Sequence, residues 1–514
     1  MIRVRQVKVK VEDKNKLKEV VANKLKTTIE NILDIKILKE SIDARKKPVI
    51  YYVYEVVVTL SNYNNIKYNN DIVKYVPSSF KFNYKKKIEN PVIVGSGPAG
   101  LFAAYLLALS GSNPIIIERG EKIEDRVNTV LEFWNKGILN TNSNVQFGEG
   151  GAGTFSDGKL NTLVKDKENI CEYVFKTFIE NGAPEDILYK NKPHIGTDLL
   201  RGVIINMRNK IISMGGSFKY NTTLTDLIIK DNKLEGIIVN DTEKIYTNNL
   251  ILAIGHSARD TFDMLYKNNI EMESKPFAIG VRIMHPQEMI NKSQYGDNTL
   301  LEPASYKLTH KCTNGRGVYT FCMCPGGFVV NASSEENRLV INGMSNRKRD
   351  ELCANSAVIV TVSSKDYGEN VLDGIKFQKE LESLTYKIGS GKIPVQLYKD
   401  FKENKVSNNF GLFNPVLKGD YKFCNLNDIF PSYIKESLIE GIDAFNNKIK
   451  GFNRDDSIIA AIESRTSSPV RIIRDENYES NIKGIYPVGE GSGYAGGITT
   501  SAIDAVKAIN KILN

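Results

Sequence analysis

The sequence predicts an α/β fold centred on a Rossmann-like dinucleotide-binding unit, and two observations carry that prediction. One is the apolar segment Val92, Ile93, Val94 followed by Gly95-Ser96-Gly97-Pro98-Ala99-Gly100 and an apolar helix over 101–110. The other is a second apolar segment, 114–118, which ends in Glu118, 18 positions after the last glycine. Together they make one strand–helix–strand unit. The run 90–117 is uncharged and long enough to cross a membrane. Pro91, Pro98, Pro114 and the spaced glycines divide it into strand, turn, helix and strand instead, so no membrane partner is expected.

The elements follow in order along 514 residues, a length that suits two or three domains. Residues 1–88 read as a small basic α+β domain. Val7, Val9 and Val11 alternate with polar residues at a strand period, and Leu17, Val20, Val21 and Leu25 recur at helical spacing. Two more strands follow over 35–42 and 49–60. The Asn-, Tyr- and Lys-rich stretch 61–90 is a connector with room for a strand or two. The dinucleotide-binding domain is expected over 89–275, with a helical insertion near 121–200 that includes a glycine-rich loop. Residues 276–454 mix strands and loops and read as a mixed α+β substrate lobe. Residues 455–514 return to the first domain with a strand, a glycine-rich loop and a final helix.

Composition narrows the class. Hydrophobic residues make up 41% and charged residues 25%, which excludes a disordered tail or a fibre. Six cysteines are too few for a disulfide scaffold and suit free thiols in a reducing compartment. The start, MIRVRQVKVK, lacks the apolar stretch of a secretory signal, so a cytoplasmic location is expected. The net charge of +9 is concentrated: residues 1–90 hold 20 Lys/Arg against 10 Asp/Glu. A nucleic-acid partner would suit that charge. A solvated lysine-rich surface is the favoured reading, because no RNA-binding motif accompanies it.

Each glycine of the motif has its own physical reason. Gly95 makes the tight turn, Gly97 lets backbone approach a pyrophosphate, and Gly100 lets the helix lie close on the sheet. The helix N-terminus offers unpaired N–H groups to the phosphates. Glu118 is placed to accept hydrogen bonds from ribose hydroxyls. Two distant segments bear on which dinucleotide is bound. Leu250-Ile251-Leu252-Ala253-Ile254-Gly255 is a strand running into a glycine turn. Ile485-Tyr486-Pro487-Val488-Gly489-Glu490 is another, leading through Gly493, Gly496 and Gly497 to a helix from about Ile498. The second return aims a helix N-terminus at an electron-rich flavin carbonyl, which a nicotinamide dehydrogenase does not need.

These segments resemble the three FAD-binding segments of the glutathione-reductase-like flavoprotein superfamily. The stretches Gly150-Gly151-Ala152-Gly153-Thr154-Phe155-Ser156-Asp157-Gly158-Lys159-Leu160, Phe321-Cys322-Met323-Cys324-Pro325-Gly326-Gly327 and Glu463-Ser464-Arg465-Thr466-Ser467-Ser468-Pro469 resemble a narrower group, bacterial NAD(P)/FAD-dependent oxidoreductases known as uncharacterised FAD-dependent dehydrogenases. The resemblance runs along the whole chain. It implies FAD held at the pyrophosphate by Gly95, Ser96, Gly97, Ala99 and Gly100, and at the adenosine ribose by Glu118 with Arg119 beside it. It implies Leu224 at the adenine, Ala253 and Gly255 near the phosphates, and Gly489 and Glu490 toward the ribityl chain. Gly497 and Ile498 would approach the isoalloxazine, and Gly153 and Thr154 would lie along the flavin.

The resemblance names no substrate. A second G-x-G-x-x-G on a strand–helix–strand unit is absent, so NAD(P)H is expected at most as a transient co-substrate. Candidates for chemistry are His256, next to Gly255; Arg465, for an anionic substrate or the reduced flavin; and Cys322 with Cys324, a C-x-C that reads first as a core strand carrying small thiols. A metal set of His310, Cys312, Cys322 and Cys324 fits no common zinc pattern, and no metal is expected. The expected function is FAD-dependent oxidoreduction of an unidentified small molecule by hydride transfer. The alternatives are a flavoprotein that binds RNA through its basic first domain, and a non-catalytic flavin redox sensor.

Overall fold

The computed structural model describes residues 1–64, 66–162, 164 and 166–514. The first unit is an antiparallel sheet carrying one helix. Strands β1 (Ile2–Lys10), β2 (Ile32–Asp43), β3 (Tyr51–Leu60) and β4 (Ile72–Lys74) lie in the order β2-β3-β1-β4, and helix α1 (Leu17–Leu25) packs against β1. β1 begins earlier than its visible alternation. Ile2 and Val4 are buried, then Val7 and Val9, because a bulge between Val4 and Val7 shifts the phase; Gln6 sits there at φ 50°. Several of the basic residues here are paired: Lys8 and Arg45 with Asp43, Lys16 with Asp13, and Lys24 with Asp71.

The second unit is built on a five-stranded, all-parallel sheet. Strands β5 (Val92–Val94), β6 (Ile115–Ile117) and β7 (Ser217–Lys219) follow one another. Leu250–Leu252 and then Ile485–Pro487 lie on the far side of β5. All five strands are three residues long; β5, β6 and Leu250–Leu252 are apolar at both faces, as a sheet covered on both sides requires, while the edge strand β7 (Ser217-Phe218-Lys219) is largely exposed. Ile93, Ile116 and Ile251 point to one layer. That layer holds helix α2 (Pro98–Leu109) and the C-terminal helix Ile498–Ile512. Val92, Val94, Ile117, Leu250 and Leu252 point to the other, where Leu224–Lys230, Lys233–Val239 and Glu243–Tyr246 form a small antiparallel sheet. Helix α2 is buried from Ala99 through Ala108, on all sides, which explains its lack of polar residues. The insertion carries helices Ile123–Lys136 and Ile170–Glu180. A third helix, Thr197–Ser213, runs past residue 200 and feeds β7.

The lobe is a seven-stranded sheet. Its order is Thr309–Lys311, Gly317–Cys324, Cys353–Val362, Phe277–Pro286, Ile458–Glu463, Ile393–Leu397 and Tyr421–Phe423. Helices Asp373–Gly389 and Ser432–Phe445 cover it. The boundary expected between 454 and 455 therefore falls short: Ile458–Glu463 is an inner strand of this sheet, paired with Phe277–Pro286 on one side and Ile393–Leu397 on the other. A pairing across more than 170 residues leaves no local mark in the sequence. Among the described residues no helix is long and apolar enough to cross a membrane.

Candidate active site

The parallel strands set the site. Four of them end in loops that meet at one place: 95–97 after β5, 118–120 after β6, 253–255 after Leu250–Leu252 and 488–490 after Ile485–Pro487. Carboxyl ends of parallel strands are where such sheets bind ligands. Between them and the lobe lies a cavity of about 350 Å³.

The glycines around it fall into two groups. At Gly95 (φ 96°) a Cβ would lie 2.4 Å from the Ala253 carbonyl oxygen, and at Gly100 it would lie 1.9 Å from that of Gly95. The protein's own packing demands these two. At Gly97 a Cβ would meet nothing nearer than 3.7 Å, and at Gly255, Gly496 and Gly497 nothing within 4 Å. What these four leave open is cavity. Helix α2 starts at Gly97 and the C-terminal helix at Gly497, and no described side chain caps either. Two sets of unpaired N–H groups thus stand at the rim, each at the positive end of a helix.

Of the residues expected at a cofactor, Gly95, Gly97, Ala99, Glu118, Arg119 and Gly153 line the cavity. Leu224, Ala253, Gly255, Glu490, Gly497 and Ile498 line it as well. Ser96, Gly100, Thr154 and Gly489 stand behind this surface. Ser96 is fully buried and binds Glu118, Thr154 packs under Gly150, and Gly489 lies against Ala99.

Glu118, expected at a ribose, is engaged by the protein itself. Its Oε2 accepts from the Ser96 N–H and hydroxyl, both at 2.9 Å. Its Oε1 accepts from the N–H groups of Gly120 at 3.1 Å and Gly148 at 3.0 Å. All four lone-pair positions of the carboxylate are used, so a ribose hydroxyl would have to share an oxygen with them. The residue ties three loops together. Arg119 lies 4.3 Å over the Phe147 ring and pairs with Asp260 at 2.9 Å.

Arg126, which the sequence did not single out, organises the neighbouring loop. Its fully buried guanidinium donates to the carbonyls of Asn144, Val145, Gly148, Glu149 and Gly151. Burial pulls its pKa down, and five carbonyl oxygens hold the charge in place. This loop presents Gln146, Phe147 and Gly151 to the cavity. Its only sequence signal is the cluster of glycines from Gly148 to Gly153.

The lobe closes the cavity with charged side chains. Arg465 lines it but is held by Glu382, through Nε at 3.1 Å and Nη2 at 2.8 Å, and by the Ser334 hydroxyl at 2.6 Å. Arg259 binds the same carboxylate at 2.6 Å and 2.8 Å. Burial alone would raise the Glu382 carboxyl; the two arginines hold it well below the usual carboxylate range. Arg282 pairs with Glu463 at 2.9 Å. His256 lines the cavity with Nδ1 3.4 Å from Glu490 Oε1, and its Nε2 has no partner among the described residues. Lys159 lines it too. Its Nζ is buried without a hydrogen-bond partner among the described residues, 3.7 Å from Asp157 Oδ2. Burial opposes that charge, while Asp157 and the nearby thiols keep its pKa above the ordinary lysine value.

Cys322 reaches the cavity, and Cys324 is fully buried behind it. The metal set considered from sequence does not assemble. His310 and Cys312 gather instead with Glu440, their ligand atoms within 4.8 Å of one another. There the Glu440 carboxylate already accepts from the Thr313 N–H and hydroxyl.

The open glycine positions, the two uncapped helix starts and the unpartnered Lys159 ammonium suit a long anionic ligand such as FAD. The match to a protein family agrees with this. Residues 276–466 match the family "FAD-dependent protein, C-terminal domain-like", and residues 1–59 match a domain of unknown function. The chain is 47% identical over 528 aligned residues to an uncharacterized protein of Clostridium beijerinckii, covering 100% of this chain and 98% of that one. Among solved structures it is similar to the FAD-complexed glycerol-3-phosphate dehydrogenase of Bacillus halodurans, at 13% identity and TM-score 0.36, over 84% of this chain and 66% of that one. It is also similar to glycine oxidase from Bacillus cereus, at 11% identity and TM-score 0.35, over 83% of this chain and 97% of that one. The chain belongs to the family of the Clostridium beijerinckii protein, and its residues 276–466 are similar to the C-terminal domain of FAD-dependent proteins.

Proposed function

We propose that the protein is an FAD-dependent oxidoreductase acting on a small molecule in the cavity between the parallel sheet and the lobe. The observation that carries this reading is the pairing of open glycine positions at Gly97, Gly255, Gly496 and Gly497 with two uncapped helix N-termini at one cavity. The N–H groups around Gly97 and the start of α2 would hold the pyrophosphate. Glu118, Arg119 and Leu224 would flank the adenosine end, and the start of the C-terminal helix, at Gly497 and Ile498, would face the flavin ring. FAD, when bound, supplies the hydride chemistry.

The chain's own groups bind and move protons. Lys159 offers N–H donors to an anionic oxygen of substrate or cofactor. His256 faces Glu490, with Nδ1 3.4 Å from Oε1, and its Nε2, without a partner among the described residues, would exchange a proton with a bound substrate. Arg465, fixed by Glu382, contributes field at that wall. NAD(P)H enters, on this reading, as a transient co-substrate in the same cavity.

The test is an anaerobic titration of the purified protein with NADH and NADPH, followed by the visible flavin absorption. Bleaching supports nicotinamide as donor. An unchanged flavin band moves the search to substrates that reduce the flavin themselves. Absence of a flavin band before and after FAD is added overturns the reading.

A further inference from the structure

The strand Gly317–Cys324 is irregular where it meets the cavity. Its register against Cys353–Val362 shifts between Phe321 and Cys324, and Cys322 sits there at φ 43°, a left-handed conformation that a residue with a side chain rarely adopts. The backbone is held in that shape. Arg282, fully buried and anchored on Glu463 and Asn355, donates through Nη1 to the Cys322 carbonyl oxygen at 3.1 Å. The bulge turns the half-buried Cys322 side chain into the cavity. The Cys324 thiol, two residues further along the same bulge, lies 3.4 Å from the Cys322 carbonyl oxygen.

We infer that Cys322 and Cys324 form a redox-active dithiol opening onto the cavity, with Cys322 as attacking thiolate, Cys324 as resolving thiol, and a disulfide as the partner they act on.

The charges around the pair favour this division of labour. Lys159 and Arg282 face Cys322 with two positive charges, and Asp157 opposes them with one negative charge from beyond Lys159. Glu463 adds a second negative charge beside Arg282, and Arg349 a third positive one on Asp157, so the corner keeps one net positive charge. The Cys324 S–H is the largest stabiliser of the Cys322 anion. With it, Lys159 and Arg282 outweigh burial and hold the Cys322 thiol below the ordinary thiol value, while Cys324 is pushed well above it. The Lys159 ammonium has no hydrogen-bond partner of its own among the described residues, so it is available to an anion in this corner, whether the thiolate or an oxygen of a bound ligand.

The chemistry balances. The Cys322 thiolate attacks one sulfur of the disulfide; a mixed disulfide forms, and the leaving sulfur departs with the electron pair of the broken bond and takes a proton from water. Cys324 then gives up its proton and attacks the Cys322 sulfur. The protein disulfide forms, and a second thiol leaves carrying that proton. Two protein sulfurs are oxidised and one small disulfide is reduced to two thiols.

This inference goes beyond the flavin reading and does not depend on it. Its test uses the purified full chain. Iodoacetamide labelling from pH 6 to pH 8, read by peptide mass spectrometry, should give a nearly flat rate at Cys322. Cys171 supplies the control in the same molecule. Burial first, then Asp166, pushes its thiol up to about 12, so its rate should rise about tenfold per pH unit. Oxidised glutathione should then yield a Cys322–Cys324 disulfide in the wild type and a glutathione adduct on Cys322 in Cys324→Ser. A Cys322 rate that climbs like that of Cys171, or two free thiols surviving excess oxidised glutathione, overturns the inference. A protein that passes these tests and binds no FAD refutes the proposed function and leaves the dithiol standing.

Discussion

The two walls of the cavity are made by different means. The wall on the parallel sheet is backbone: short loops at strand ends, glycines and helix N-termini, with Glu118 and Arg126 spent on holding loops to one another. The wall on the lobe is side chain: Arg465 on Glu382, Arg282 on Glu463, and the Cys322 bulge. A backbone wall suits a ligand of fixed shape, because N–H groups at a helix start cannot be exchanged by mutation. A side-chain wall can change its chemistry one substitution at a time.

Breaking each wall separately tests the contrast. The largest effect is expected from Gly100→Val. Its Cβ would sit 1.9 Å from backbone, which nothing flexible can relieve. A loss of about 3 kcal/mol or more is expected in chemical denaturation, together with loss of bound flavin. Glu382→Gln attacks the lobe wall by leaving Arg259 and Arg465 without their shared carboxylate. It should destabilise by about 3–5 kcal/mol, with flavin retained in the fraction that folds.

Acid should act on the fold through buried neutral histidines. Burial brings His194 and His285 down to about 4, and each donates Nε2–H to a backbone carbonyl, of Arg347 and Phe452 respectively. Their folded values lie below the unfolded value of about 6.5, so the unfolded chain binds more protons between the two. Their contribution is complete above about pH 6.5 and is lost as pH falls toward about 4. A fall on the order of a few kcal/mol across that window is expected in denaturation curves. Replacing either histidine by Gln should flatten it. The smallest effect belongs to the exposed basic run: Lys85, Lys86 and Lys87 changed to Gln should shift stability by no more than about 0.5 kcal/mol.

The same contrast explains what the sequence made legible. The backbone wall is encoded locally. The glycines of 95–100, the turn at Gly255 and the start of the last helix at Gly497 announce themselves by spacing within a few residues of a strand or helix. The side-chain wall is assembled from partners far apart in the chain, Arg282 with Glu463 and Arg465 with Glu382, and no window of sequence contains both members. Arg126 was hidden for the same reason, since nothing in a helical Arg foretells five loop carbonyls. The β1 bulge and the lobe's inner strand Ile458–Glu463 show the limit from the structural side. A phase flip at Gln6 and a pairing across the chain both escape periodicity. Glu118 shows the converse, where the motif placed the residue correctly at the cavity but its role is shared with three loops.

The central claim is that the open glycine positions are cofactor space, and Gly97→Ala tests it most directly. The protein itself leaves 3.7 Å around that Cβ, so unfolding should shift by less than about 1 kcal/mol. FAD affinity, measured by fluorescence titration of flavin-stripped protein, should fall at least about tenfold, a loss of roughly 1.4 kcal/mol. Equal FAD affinity in wild type and variant, or no FAD binding by the wild type, would contradict the account.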